Sequence, residues 1–386
     1  MSGFFVVGEK KERPGVYKRY ENAGGAEAAG ARSGVGCALV TGNWGALNTP
    51  VTIDQSTDIS SVIGAGSGHD AITAFMAGGM EECVVVRVGT GGTPATITLK
   101  DTTASTAVDA VVLTALYPGN RAFTITVKAS LDDETAKEAT IYEGTKALEK
   151  VTFAAGKTEV DGIVAAFANS KYVKATKKAP GNGTLADITQ KAFTTGTNPT
   201  ATAAAYGEAA NASEAEVRDM IIVDTNDAAV HTLIATHVAR VFQEGAYTMA
   251  TVAEPSSVAI ETRMQHAAAF NDEKIHYVLN PYIGTDGVEY EGYMLAARIG
   301  GLICAGAANA SLTHTVISGA AGLKETLNSG TIKKALKSGC LVLSTSKSKQ
   351  VWIEKAINTL VTLSKDQDAG WKKIRRVKER FELMDR

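Results

Sequence analysis

The chain has 386 residues, of which 45% are apolar and 21% are charged. This balance is typical of folded globular proteins and excludes a disordered or collagen-like chain, and the length allows two or three domains. The formal net charge is −2, far from the basic balance of a general nucleic-acid-binding protein, so neither DNA nor RNA is an expected partner.

The charges are distributed unevenly along the chain. Residues 201–300 carry 14 acidic and 5 basic side chains, a net charge of −9, whereas residues 323–386 carry 15 basic and 7 acidic side chains, a net charge of +8. Two solvated surfaces of one subunit would explain this asymmetry, and so would complementary faces that meet between copies of the chain.

Cysteine usage and hydropathy indicate synthesis in the cytosol. The four cysteines are far apart and show no CxxC spacing, and the chain does not open with the charged and apolar regions of a signal peptide. The most apolar long stretch, residues 295–312, contains Arg298 and many small residues, so it predicts an internal helix. No membrane partner is expected.

The first 22 residues predict an extended N-terminal arm, because Pro14 favours a β or polyproline II conformation in the residue before it. Residues 23–88 predict the first part of an α/β core. Its predicted elements are strands at 35–41 and 83–88, a helix at 69–80 and a weak strand at 59–63.

Residues 89–200 have a different texture, with short alternating runs rich in threonine and turn clusters between them. This texture predicts an inserted, β-rich outer domain. Its predicted elements are strands at 95–99, 122–129 and 139–142 and a helix at 159–168.

Residues 201–370 return to a strict alternation of strands and helices, which predicts a parallel sheet shared with the first part of the core. The predicted strands lie at 220–224, 247–253 and 275–279, and the predicted helices at 228–244, 257–270, 288–309 and 323–336. Pro255 and Ser256 are expected to start the second of these helices.

The C-terminal part predicts a strand pair at 340–344 and 350–353, followed by a basic helix over 371–386. The fold class is therefore α/β: a parallel or mixed-sheet core with helices on its faces, an inserted β-rich outer domain and extended terminal arms.

A parallel α/β sheet favours chemistry at the carboxyl ends of its strands. The side chains placed there are Asp224, Asn226, Asp227, Glu254 and Asn280. They could bind a metal or act as bases, but such residues also commonly begin helices and turns. The glycine-rich loop at 64–68 lacks GxGxxG spacing, and the six histidines show no HExxH motif. The sequence thus predicts no catalytic, cofactor or metal site.

Several motifs occur in an order that resembles one family. The arm carries Arg13-Pro14-Gly15-Val16-Tyr17 followed by Arg19, Tyr20 and Asn22. Further motifs are the strand at 84–88, Gly119-Asn120 before a Thr/Val strand, residues 292–308 with Leu312-Thr313, and Ile357-Asn358-Thr359-Leu360 before 373–376 and Asp385. In this order they resemble the tail sheath proteins of contractile bacteriophage tails and R-type bacteriocins.

The resemblance implies a structural subunit without catalytic site or cofactor. Such subunits polymerise as stacked hexameric rings around a tail tube, and contraction of this sleeve drives the tube into a target cell. The implied partners are other copies of the chain, the tail tube protein, the baseplate and the tail terminator. The implied location is a virion or phage-tail-like particle assembled after synthesis in the bacterial cytoplasm.

The resemblance also implies that extended arms add strands to sheets of neighbouring subunits. The candidate assembly residues of the N-terminal arm are Val6, Val7, Arg13, Pro14, Gly15, Val16 and Tyr17. Those of a candidate sheet edge and basic surface are Lys347, Lys349, Lys372, Lys373, Arg375 and Arg376. Family chains usually continue past the basic helix, so we expect the present chain to associate weakly in dilute solution.

Two other functions remain open from the sequence. One is an α/β enzyme that handles a nucleotide or phosphate through the loop at 64–68. The other is a different component of a phage tail, such as a tube or baseplate subunit, although the three strand–helix units oppose a tube protein, which would be mainly β.

Overall fold

The computed structural model describes strand residues 3–4 and 17–18 and then residues 34–178, 182–346, 349–365 and 367–385. The two short N-terminal strands, β1 (Gly3–Phe4) and β2 (Tyr17–Lys18), pair in parallel. The other candidate arm residues, Val6, Val7, Arg13, Pro14, Gly15 and Val16, lie outside the described residues, as does Lys347.

The first part of the core alternates strands and helices, with one departure from expectation. Its elements are β3 (Gly36–Val40), β4 (Pro50–Asp54), α1 (Ile59–Val62), α2 (Ser67–Met76) and β5 (Glu82–Arg87). The strand predicted at 59–63 is wrong: these residues form α1, because the Asp58 side chain accepts a hydrogen bond from the Ser60 amide at 3.0 Å and so caps a helical turn.

The inserted region is a β-sandwich. Its elements are β6 (Thr96–Asp101), β7 (Val108–Ala115), β8 (Phe123–Ala129), β9 (Ala136–Glu143), β10 (Lys146–Ala154), α3 (Glu159–Ala166), β11 (Val173–Lys177) and β12 (Ile188–Ala192). One sheet has the order β10-β9-β8-β12 and the other β11-β7-β6, all antiparallel. A single hydrophobic cluster joins the two sheets.

The second part of the core contains most of the helices. It begins with α4 (Ala203–Ala212), a 3₁₀ turn (Ser213–Ala215), β13 (Met220–Val223), α5 (Ala228–Gln243), β14 (Met249–Ala253), α6 (Ile260–Phe270) and β15 (Ile275–Val278). It continues with β16 (Tyr282–Gly284), β17 (Glu289–Tyr290), α7 (Tyr293–Ala305), β18 (Ala320–Leu323), α8 (Ser329–Lys337), β19 (Cys340–Leu341), β20 (Leu343–Thr345), β21 (Val351–Ile353), a 3₁₀ turn (Ala369–Lys372) and α9 (Ile374–Asp385).

The central sheet unites both parts of the core in the order β19-β15-β14-β13-β3-β5-β4. Its strands are parallel except β4, which runs antiparallel to β5 at one edge. The predicted α/β class, with a mixed sheet and a β-rich insert, is confirmed. Helices α2, α7 and α9 cover one face of the sheet, and α4, α5, α6 and α8 cover the other.

Three predicted helices of the second part of the core begin later than expected. The helix predicted at 288–309 begins at Tyr293, because Glu289 and Tyr290 first pair with β16. The helix predicted at 323–336 is wrong at its start: Leu323 ends β18, and the Asn328 side chain caps α8. Pro255 and Ser256 do not start α6, which begins at Ile260.

Small residues let α2 and α7 approach closely. A Cβ atom added at Gly301 would lie 2.1 Å from the carbonyl oxygen of Phe75, and one at Gly78 would lie 2.5 Å from the backbone of Gly301. No helix in the described part of the chain combines the length and apolar character needed to cross a bilayer.

Candidate functional site

Asp224, at the carboxyl end of β13, joins four elements of the core. Its Oδ2 accepts hydrogen bonds from the Thr41 amide at 2.9 Å, the Thr41 hydroxyl at 2.6 Å and the Ser67 hydroxyl at 2.7 Å. Its Oδ1 accepts from the Tyr206 hydroxyl at 2.6 Å. Burial, reinforced by the negative charge of Asp224, raises the pKa of Tyr206, so the phenol stays protonated as a donor. The Asp224 carboxylate therefore holds these four elements together through buried hydrogen bonds.

Donor groups of the glycine-rich loop at 64–68 form hydrogen bonds with side-chain oxygen atoms of the protein itself. The Ala65 amide donates to the side-chain oxygen of Asn43 at 2.9 Å, and Ser67, the first residue of α2, donates to Asp224. A phosphate at this loop would meet the Asp224 carboxylate, so the electrostatics at this helix end oppose an anion.

The other strand-end residues mostly hold backbone groups. Asn226 accepts from the Tyr293 amide at 2.8 Å at the start of α7, and Asp227 caps α5. Asn280 both donates to the Leu343 carbonyl and accepts from the Leu343 amide, each at 2.9 Å. In the regions that the structure describes, no group of three or more His, Cys, Asp or Glu side chains could hold a metal ion.

The candidate sheet edge is the hairpin of β20 and β21. Residues 314–317 already occupy the outer side of β21: the His314 amide donates to the Ile353 carbonyl at 2.7 Å, and the Ile317 amide donates to the Val351 carbonyl at 2.9 Å. The Asn280 side chain forms hydrogen bonds with the amide and the carbonyl of Leu343 on the outer side of β20. The exposed end of the edge is at Thr345, close to Lys349, which has a positive φ of 62° and is exposed.

The C-terminal helix α9 docks on the core through an apolar stripe. Ile374, Val377 and Phe381 are buried, and Phe381 contacts the rings of Phe242 and Tyr247 at centroid distances of 5.7 and 5.5 Å. This spacing of three and four residues is that of one helix face.

Lys378 lies on the same side of α9 and caps another helix. Its ammonium donates to the carbonyl of Ile303 at 2.5 Å, to that of Gly306, and at 3.4 Å to that of Cys304, all at the end of α7. Burial lowers the pKa of Lys378. A cation at a helix C-terminus complements the helix dipole. No sequence motif singles out Lys378, although its position four residues after Ile374 places it on the buried side of the helix.

The predicted basic residues near α9 do not form one free surface. Lys372 donates to the Val361 carbonyl at 2.6 Å, and both Arg375 and Arg376 lie within 3.4 Å of the Glu379 carboxylate. Lys373 is exposed. The structure thus places Arg375 and Arg376 together and leaves Lys373 as the candidate that projects into solvent.

A second missed feature is the junction between the core and the sandwich. Trp44 follows β3 but is buried in the sandwich, edge-on to Tyr117 and Phe123 at centroid distances of 4.9 and 5.3 Å. The Arg121 guanidinium lies 5.1 Å from the Trp44 ring centroid. Arg87, at the end of β5, donates to the Pro118 carbonyl at 2.8 Å. These contacts fix the sandwich to the core.

Two family models match consecutive parts of this chain. The model of the phage tail sheath protein beta-sandwich domain matches residues 90–198, and that of the phage tail sheath protein central domain matches residues 199–359. Among curated proteins, no sequence matches.

Solved structures share the fold. The sheath tail protein of Desulfitobacterium hafniense is 20% identical, with a TM-score of 0.75 over 96% of this chain and 81% of that one. The sheath tail protein of Listeria innocua is 24% identical, with a TM-score of 0.69 over 90% and 73% of the respective chains. With both sheath domains matched in succession, the chain belongs to the phage tail sheath protein family and is a structural subunit of a contractile sheath.

Proposed function

We propose that this chain polymerises with its own copies as stacked hexameric rings around a tail tube, and that contraction of the sleeve drives the tube into a target cell. The observation that carries this proposal is the unbroken match of the two sheath domains over residues 90–359. The tail tube protein, the baseplate and the tail terminator are the proposed further partners. Synthesis in the bacterial cytoplasm precedes assembly into a virion or phage-tail-like particle.

The domain division follows the same proposal: an arm at 1–22, core parts at 23–88 and 201–370, an outer domain at 89–200 and a basic helix at 371–386. Supporting it, Thr90 and Thr200 exchange backbone hydrogen bonds of 3.0 and 2.9 Å. The insert therefore leaves the core and returns to it at one place.

Strand addition is the proposed link between subunits. The N-terminal arm residues named above would pair with the hairpin edge of a neighbour near Thr345. Backbone hydrogen bonds would supply the binding affinity. Lys347 and Lys349 would disfavour non-specific pairing with strands of other proteins. Lys349 and Lys373 are the exposed cations proposed to face partners.

A structural role, and not catalysis, is proposed for the strand-end carboxylates. Asp224 and Asp227 are engaged with hydroxyl and amide groups of the chain itself. An enzyme that used the loop at 64–68 would be stabilised by its ligand, so melting with and without ATP or inorganic phosphate distinguishes the two functions.

The proposed linkage is tested by replacing Val16 with proline, which removes a backbone donor from the arm, and with threonine as the matched control. At protein concentrations well above the dilute range in which the chain is expected to associate only weakly, electron microscopy should show rings or sleeves for the unchanged protein and for Val16→Thr, and none for Val16→Pro. Circular dichroism should show the same folded core in all three. Sleeves formed by Val16→Pro as readily as by the unchanged protein would overturn the linkage.

A further inference from the structure

A cavity of about 380 Å³ opens between α5 and α6 at the carboxyl end of the central sheet. Its polar lining comes from Glu254, His231, His266, Tyr277 and Thr232, and Ala228 and Phe270 belong to its apolar wall. The contacts described above for the strand-end residues do not use this cavity, and ligands of α/β proteins bind at this edge of the sheet.

The Glu254 carboxylate is held from one side only. Its Oε2 accepts hydrogen bonds from the Tyr277 hydroxyl at 2.5 Å and from His266 Nδ1 at 2.8 Å. Burial and the bond to Glu254 raise the pKa of Tyr277, so this phenol remains a donor. None of the described residues donates to Oε1, although the residue is only 4% exposed. One carboxylate oxygen therefore remains available to a ligand.

His231 supplies a second acceptor. Its Nε2 lies 2.9 Å from the Thr225 carbonyl oxygen, which can only accept, so Nε2 carries the proton and Nδ1 carries a lone pair. Burial lowers the pKa of His231, which keeps the ring neutral at pH 7. The cavity thus combines one negative charge with two hydrogen-bond acceptors and an apolar wall.

We propose that this cavity binds a primary ammonium group on an alkyl stem, namely a lysine side chain from a second copy of the chain. An ammonium ion offers three donors, and Glu254 Oε1 and His231 Nδ1 are two acceptors on residues that line the cavity. A metal ion is opposed because the described residues supply no group of three suitable ligands. An anion is opposed because Asp227 caps the nearby start of α5 and Glu254 is itself negative.

The choice of a second copy rests on the proposed self-assembly and on the charge of α8. Lys333, Lys334 and Lys337 are exposed on this helix, and no described residue forms an ion pair with them. Helix α8 packs on the same face of the sheet as α5 and α6, next to the edge strand β19. Because the cavity and the lysines lie at different places on the subunit, the contact between them joins two copies of the chain.

The site itself is tested without any assembly, by titrating the chain with n-butylammonium chloride and following the ring signals of His231 and His266 by NMR. We expect a saturable shift that Glu254→Gln weakens at least tenfold, since the charge is lost while the shape is kept. Glu261→Gln, on the exposed side of α6, is the matched control. Tetramethylammonium, which has the charge but no N–H donor, should not compete. Absence of a saturable shift, or equal binding by Glu254→Gln, overturns the site.

Whether a lysine of α8 from a second copy fills the cavity is tested by measuring the assembly of rings or sleeves. Replacing Lys333, Lys334 and Lys337 with glutamine should raise the protein concentration needed for assembly at least tenfold, as should Glu254→Gln. The same change at Lys171, Lys174 and Lys191, exposed lysines of the sandwich, should leave it unchanged. Unchanged assembly by the α8 variant would overturn the lysine occupant while leaving the sheath function standing.

Discussion

The central layer and the inserted sandwich bury different kinds of side chain. The two hydrophobic clusters of the central layer are mostly small and aliphatic, and their described members all lie outside residues 90–198. The sandwich cluster is rich in aromatic rings, and one of them, Trp44, comes from the loop after β3. The dependence is therefore asymmetric: the sandwich uses a core side chain to complete its interior, whereas the clusters of the central layer close without the sandwich.

Ionisable groups divide between the two regions in the same way. All six histidines lie outside residues 90–198, and three of them, His231, His237 and His276, are buried in the central layer. The sandwich instead buries an ion pair between Lys137 and Glu159, whose side chains approach to 3.2 Å. The two regions should consequently respond differently to truncation and to acid.

The largest expected effect is that of Trp44→Ala. Removing a buried aromatic side chain costs about 3–5 kcal/mol, and this loss should fall on the sandwich. Native-state hydrogen exchange should show reduced protection in β7 and β8 and little change in β3 and β14. Trp352→Ala, at a half-buried position of β21, is the matched control. An equal loss of protection in both regions would break the asymmetry.

Mild acid should weaken the central layer first. Burial lowers the pKa of His276 to about 3 and that of His237 to about 4, whereas an unfolded histidine titrates near 6.5. Between these values the unfolded state binds more protons, so stability is lost as the pH falls from 6.5 towards 4. At 1.36 kcal/mol per pH unit, each histidine should cost about 2 kcal/mol by pH 4.5.

Urea unfolding followed by residue-resolved NMR measures this difference, because each region reports separately. His276→Gln should reduce the acid sensitivity, whereas His314→Gln, at an exposed position, should not. A sandwich that loses as much stability as the central layer between pH 6.5 and 4.5 would argue against the assignment.

A smaller effect is expected from Arg121→Met. Arg121 is 3% exposed, and its guanidinium makes two hydrogen bonds of 2.9 and 2.8 Å to Glu143 beside the Trp44 ring. Because Glu143 is partly solvated, we expect a loss of about 1–3 kcal/mol in sandwich stability by urea unfolding. Arg240→Met breaks the exposed pairs with Glu214 and Glu244 and should cost clearly less, because these pairs are screened by solvent. Equal losses in the free energy of unfolding for the two variants would show that burial of Arg121 does not strengthen its ion pair with Glu143.

The sequence predicts the buried strands well, because β3, β5 and β13 to β15 are short continuous apolar runs covered on both faces. It does not predict β4, which is largely exposed and defined by its pairing with β5. Nor does it predict the destination of Trp44 or the carbonyl partners of Lys378, since both contacts join segments that are far apart in the chain. The cavity at Glu254 is foreseen only as a strand-end carboxylate, because His231 and His266 come from two different helices.

The linkage of subunits through the arm is the central claim, and one disulfide tests it most directly. The native cysteines are buried, so the thiols introduced by Val16→Cys and Thr345→Cys are the ones expected to cross-link in the doubly substituted chain. After assembly and mild oxidation, a denaturing gel without reductant should show a ladder of covalent multimers that collapses on reduction. Each single substitution should give no ladder. Oxidised sleeves that yield only monomers from the double variant would contradict strand exchange between subunits.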